Sequence, residues 1–172
     1  MGGTPADMER VLSVADYVNE AVGRVVGFLI VAIMLIVVYD ILARNLFGMP
    51  TQWVFELTKQ FYAAHFMLLG GYALLYDSHI RVDVVREHLS ERMKHLFEVI
   101  AYVIFFFPFM SIVVWFGWRF AMRSWRAGET TWGVIQLPVY PIKTVIVVAA
   151  ALLMIQGIAQ FVRSIVYLSK KS

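Results

Sequence analysis

Four charged residues, Asp40, Arg44, Glu56 and Lys59, flank the short turn FGMPTQW inside an otherwise apolar stretch. Carboxylates in such surroundings can relay a proton or bind a transported cation, and intramembrane charges are costly enough to demand partners. With the turn centred near residue 50, antiparallel helices set residues whose numbers sum to about 100 at equal depth. That places Arg44 opposite Glu56, and Asp40 level with Lys59 and Gln60. Each acid then meets a base, which keeps it ionised and favours a lock between the two helices over a proton relay. No second acid lies deeper in the apolar stretch to receive a proton.

A second polar constellation is DSHIRVDVVREHLSERMKH, residues 77–95, with three of the four histidines of the chain. His79 and Asp83, and His88 and Arg92, stand four residues apart, with His95 following. A metal site needs convergent ligands, and one helical pair supplies two at most. Val82, Val85, Leu89, Met93 and Leu96 instead trace an apolar stripe, so the segment reads as an amphipathic connector on the membrane surface. Haem held by two histidines would need them at matching depth in different spans, and only His65 lies within a span. The absence of cysteine excludes disulfides and thiolate metal sites. We expect no cofactor, no metal and no catalytic residue, hence no enzyme.

The elements that position these residues are written in the composition. The chain has 172 residues, is 60% hydrophobic and 16% charged, and has a mean hydropathy of +0.72. Soluble domains sit near ~45–50% apolar and ~25% charged. Residues 99–118 and 144–162 contain no Asp, Glu, Lys or Arg, and a helix needs roughly 20 residues to cross the hydrocarbon. The reading is an all-α integral membrane protein, residues 1–172 forming a single transmembrane domain with four helices near 22–47, 53–76, 96–122 and 143–166.

Lys and Arg number nine on the side of both termini and five on the other, with Lys59 a turn inside. Both termini are therefore expected in the cytoplasm. The start lacks a basic region before a short apolar core, which predicts an uncleaved first span. Residues 7–22 set Met8, Val11, Leu12, Ala15, Val18 and Val22 on one face and most acids opposite. This amphipathic lead-in helix serves a protein partner, the membrane surface, or as an extension of the first span. The tryptophans fall near the outer boundary, and residues 119–142 read as an interfacial segment or a partner-docking surface. No basic-aromatic stripe points to nucleic acid.

Along the second span, Glu56, Gln60, Ala63, Met67, Gly70 and Leu74 alternate steps of four and three, a packing seam with small residues for close approach. Gly23 and Gly27 form one GxxxG. Gln156 and Gln160 share a face suited to an interhelical hydrogen bond. Pro108 is an isolated kink candidate.

Three stretches in order carry a family resemblance: RNLFGMPTQWVFEL (44–57), GGYALLYDSHIRVD (70–83) and SWRAGETTWGVIQLPVYP (124–141). From about Val18 to Tyr167 the chain resembles the small membrane subunit, the small permease component, of tripartite ATP-independent periplasmic (TRAP) transporters. The resemblance implies an accessory subunit of a bacterial inner-membrane importer driven by an ion gradient without ATP. Its partners would be a large multi-span subunit that moves the substrate, a periplasmic binding protein that captures an organic acid, and the bilayer. Depth pairing and the packing seam, together with the 44–57 motif, assign Asp40, Arg44, Trp53, Glu56, Lys59, Gln60, Ala63 and Gly70 to helix pairing or the subunit interface. His79, Arg81 and Asp83 belong to an inner-loop motif, and Ser124, Trp125, Gly128, Glu129, Leu137 and Pro138 to an outer-segment motif. The rival reading is a self-sufficient homodimeric transporter or channel with Asp40 or Glu56 as its coupling acid.

Overall fold

A computed structural model describes residues 6–49, 51–76, 90–132 and 135–170. In chain order these form α1 (Ala6–Gly27), α2 (Leu29–Phe47), α3 (Gln52–Leu75), α4 (Glu91–Ala101), a π-helical turn (Tyr102–Phe106), α5 (Phe107–Ala127) and α6 (Tyr140–Lys170). Among the described residues there is no strand, only an isolated bridge between Thr130 and Pro138.

Three helical stretches are long and apolar enough to cross a membrane: Glu9–Phe47 with 39 residues, Glu91–Ala127 with 37 and Tyr140–Ser169 with 30. The sequence reading expected four spans. α3 has 24 residues, enough length at ~1.5 Å per residue. It carries Glu56, Lys59, Gln60 and His65, is less apolar, and is not one of the three.

The helices pack as an open layer. α6 is central, with α3 on one flank and α4 and α5 on the other; α2 leans on α3, and α1 lies against α3 and α6. The margins are correspondingly bare: α2 buries only Ile33 and Ala43, whereas α6 buries Ala149, Ala150, Gln156, Gly157, Ala159 and Ser164. Small residues let the central helices approach, because dispersion at short range replaces the hydrophobic drive that lipid removes. A Cβ at Gly157 would overlap the Phe106 ring, and one at Gly23 the Tyr72 ring. Gly27 faces open space, so only half of the GxxxG pair is used.

The lead-in helix is an extension of the first span, packed on its own chain. α1 turns Asp16 and Asn19 toward α6 and leaves Val11, Val14, Tyr17 and Val25 exposed. The apolar stripe read from the sequence is therefore buried only in part: Ala15 lies in the core, whereas Val11 and Val18 are exposed and Asn19 takes a buried position beside it. Polar side chains with hydrogen-bonding partners gain more from packing inward when the surroundings are apolar. Between α1 and α2 the ladder tightens: Phe28 N–H reaches the Val25 carbonyl at 3.2 Å. His65 Nδ1 sits 2.9 Å from the Val26 carbonyl oxygen. A carbonyl can only accept, so Nδ1 carries the proton.

The distortion expected at Pro108 is a π-helical turn immediately before it. Proline has no N–H to give and its ring crowds the carbonyl four residues back, and the wider turn relieves both. The turn also delivers Phe106 against Gly157.

Candidate functional site at the hairpin end

α2 ends on Gly48, whose φ of 65° is left-handed and returns its N–H to the Ala43 carbonyl. A residue with Cβ is disfavoured there. The chain then re-enters helix at Thr51, whose hydroxyl hydrogen-bonds the Asp40 carboxylate across the turn. Tyr39 and Trp53 add a ring contact at 6.1 Å between centroids.

The ion pairs run within helices rather than between them. Arg44 donates to Asp40 at 2.9 Å, and Lys59 to Glu56 at 2.9 Å. The expected pairing of Arg44 with Glu56 and of Asp40 with Lys59 is thus replaced. Residues three or four apart on one helix are already neighbours, and Thr51 reaches Asp40 first from across the turn. Lys59 also lies 4.4 Å from the Phe55 ring centroid, a cation–π contact.

The α5–α6 connection is built by the third sequence motif. Gly128 adopts φ 57° and caps α5 by returning its N–H to the Ser124 and Trp125 carbonyls. Beyond it the chain folds back on itself: Val139 N–H donates to Glu129 O at 2.9 Å, and Thr131 N–H to Leu137 O at 2.8 Å. Pro138, which has no N–H to leave unpaired, occupies the bridge opposite Thr130. Trp125 Nε1 donates to Thr144 Oγ1 at 2.8 Å and its ring meets Tyr140 at 4.2 Å. Buried Lys143 donates to the Glu129 carboxylate and stands 4.0 Å over the Phe120 ring. The Lys143 hydrogen bond holds the Glu129 carboxyl below its ordinary range. Ser124, Trp125, Gly128, Glu129, Leu137 and Pro138 are therefore parts of one closed loop.

That loop faces the first turns of α3 across a groove of about 410 Å³. Glu56, Lys59, Gln60 and Ala63 form one wall, and Glu129, Thr130, Thr131 and Trp132 the other. Gln60 Nε2 is buried there without a hydrogen-bond partner. Trp132 is 96% exposed. The packing seam of α3 thus divides: toward Gly70 it runs against α6, near Leu153, and toward Glu56 it opens into this groove. The charged groups of the two walls, Glu56 and Lys59 on one and Glu129 on the other, are already paired, which suits recognition of another surface and offers no activated nucleophile. Among the described residues no cluster of three or more His, Asp and Glu could hold a metal. His79, Arg81 and Asp83 lie outside the described residues.

The sequence reading missed a buried network at the opposite end. Gln156, fully buried, donates to Asp16 Oδ1 at 2.9 Å and accepts from Asn19 Nδ2 at 3.0 Å. Arg163 closes the set on Asp16 Oδ2. Nearby, Ser164 donates to Glu98 at 2.8 Å, with His95 Nδ1 3.2 Å from its oxygen. The Gln156–Gln160 face was the available signal, and it named one of these residues.

A family model described as "Tripartite ATP-independent periplasmic transporters, DctQ component" matches residues 33–166. The chain belongs to that family. The match begins in α2 and ends in α6, so it takes in the hairpin end, the α5–α6 loop and Gln156, and leaves α1 out. A comparison with curated proteins gives no match. The DctQ component is the small permease component of TRAP transporters, a membrane transport subunit rather than an enzyme family.

Proposed function

We propose that this DctQ component is the scaffold subunit of a TRAP transporter in a bacterial inner membrane. It crosses the membrane four times, α3 included, with both termini in the cytoplasm, as a single domain. It steadies the large multi-span subunit, which takes up an organic acid with the ion gradient after a periplasmic binding protein delivers it. The observation that carries this reading is the open helix layer. An apolar helix buried at only two positions, Ile33 and Ala43, leaves a long face for a second membrane protein.

In this reading Asp40, Arg44, Trp53, Glu56, Lys59, Gln60 and Ala63 hold the hairpin end and contribute to the large-subunit interface, and Gly70 seats α3 on α6. The outer-segment residues fix the loop that forms the far wall of the groove. His79, Arg81 and Asp83 belong to the inner loop. α3 spans as part of the layer because its charged pair and its histidine are engaged: Glu56 and Lys59 by each other, His65 by Val26. A coupling role for Asp40 or Glu56 is less supported, since each is held in an ion pair near one helix end.

The test is co-expression with the large permease subunit and capture in mild detergent. We expect near-stoichiometric recovery with the native chain and a several-fold loss with Arg44→Ala combined with Glu56→Ala. Equal recovery and equal uptake with that double variant would remove these residues from the interface.

A further inference from the structure

The hairpin end carries more positive charge than its acids can neutralise. From residue 99 to the end of the chain Glu129 is the only acid, and it is committed to Lys143. Glu56 and Asp40 are committed to Lys59 and Arg44. Arg119 and Arg123 enter no ion pair among the described residues. They stand four apart, hence on one face of α5, one and two turns before its end at Ala127.

Both line a second groove, of about 540 Å³, between α5 and α6. Its remaining wall is apolar, with Val113, Phe116 and Gly117 from α5 and Ile146 from α6. Val113 lies deeper along α5 than the arginines, so the groove is polar at the helix end and apolar toward the bilayer. Exposed Trp115 and Trp118, at the same depth on α5 though not in the groove lining, mark the level at which aromatic side chains meet lipid headgroups. There is room at Gly117: a Cβ there would make only ordinary contacts with Ile146 and Val147, at 3.7 and 3.8 Å.

We propose that this groove binds an anionic glycerophospholipid. The phosphodiester lies between the Arg119 and Arg123 guanidiniums, and one acyl chain runs along the Val113–Phe116–Ile146 wall. Guanidinium forks match phosphate oxygens and tolerate partial desolvation better than an ammonium. Long arginine side chains can reach the headgroup level from one or two turns inside. The apolar lower half selects a lipid over a soluble anion, because phosphate or a free carboxylate fills only the arginine end. A lipid held there joins α5 to the centre of the layer without using the hairpin-end groove.

The experiment is native mass spectrometry of the full chain, delipidated in detergent and offered phosphatidylglycerol, phosphatidylcholine or inorganic phosphate. We expect retention of one phosphatidylglycerol about tenfold above phosphatidylcholine: both carry the phosphodiester, but the choline ammonium cancels the charge of its lipid and is repelled by the two arginines. Arg119→Gln combined with Arg123→Gln should abolish the preference, and Arg126→Gln, outside the groove, should keep it. Val113→Trp, which fills the apolar half and spares the arginines, should lower retention of both lipids; circular dichroism melting checks that each variant is folded. Equal retention of the two lipids, or an unchanged preference in the double arginine variant, would overturn the proposal. Displacement of phosphatidylglycerol by inorganic phosphate at matched concentration would reduce it to an anion site. If cross-linking in the assembled complex places an acidic segment of the large subunit on Arg119 and Arg123, the groove is a protein interface and the lipid assignment fails.

Discussion

The two ends of the helix layer handle polar groups in opposite ways. At the hairpin end the charges pair locally, Asp40 with Arg44 and Glu56 with Lys59, each within a single helix and partly exposed. At the α1 end, Asp16, Asn19, Gln156 and Arg163 pair between helices, with 140 residues separating Asp16 from Gln156. Local pairs leave a surface that can be covered or uncovered without disturbing the fold. Long-range buried pairs fix the position of one helix against another. The first arrangement suits an interface and the second suits a frame, the division of labour that the proposed scaffold role calls for.

The comparison breaks most severely at Gln156. Gln156→Leu strips Asp16 and Asn19 of a partner at once, and each unsatisfied buried polar group costs about 1–3 kcal/mol. We expect a loss of about 2 kcal/mol, measured as a lower unfolding midpoint in detergent, with recovery of the large subunit retained below that midpoint. Lys59→Ala at the hairpin end should change stability by under ~0.5 kcal/mol, because an exposed pair within one helix contributes little. Comparable losses from the two substitutions would erase the distinction.

A smaller effect sharpens the comparison through pH. The carboxyl of Glu129 in the folded chain is held below its ordinary range by Lys143. Its contribution is therefore present above the free-carboxyl value of ~4.3 and is lost as pH falls through the lower folded value. Fluorescence of Trp125, which packs on Tyr140 beside the loop, should titrate with a midpoint under ~4.3. Lys143→Met should raise that midpoint. A midpoint unmoved by Lys143→Met would detach the ion pair from the loop's closure.

What was legible in the sequence follows the range of the interactions. The spans read near 22–47, 96–122 and 143–166 follow from their uncharged runs, and the structure carries them on the longer helical stretches Glu9–Phe47, Glu91–Ala127 and Tyr140–Ser169. The Gly48 turn and the Gly128 cap follow from local backbone chemistry, and the outer-segment motif gathers because Ser124 to Pro138 are near in sequence. The partners of Asp40 and Glu56 were misassigned for a geometric reason. Equal depth across a hairpin does not bring side chains together when a same-helix partner lies one turn away. The Asp16–Gln156 network was not legible, because no local pattern says which face of α1 meets α6. Asp16 and Asn19 look like a solvated face until α6 supplies their partners.

The central claim is that this chain supports transport without conducting it. The direct measurement is uptake of radiolabelled organic acids into liposomes under an imposed sodium gradient. The chain is reconstituted alone, and then with the large subunit and the binding protein. The account predicts no uptake above empty liposomes for the chain alone, and gradient-dependent uptake when all three are present. Gradient-dependent uptake by the chain alone, abolished by Asp40→Asn or Glu56→Gln, would contradict it.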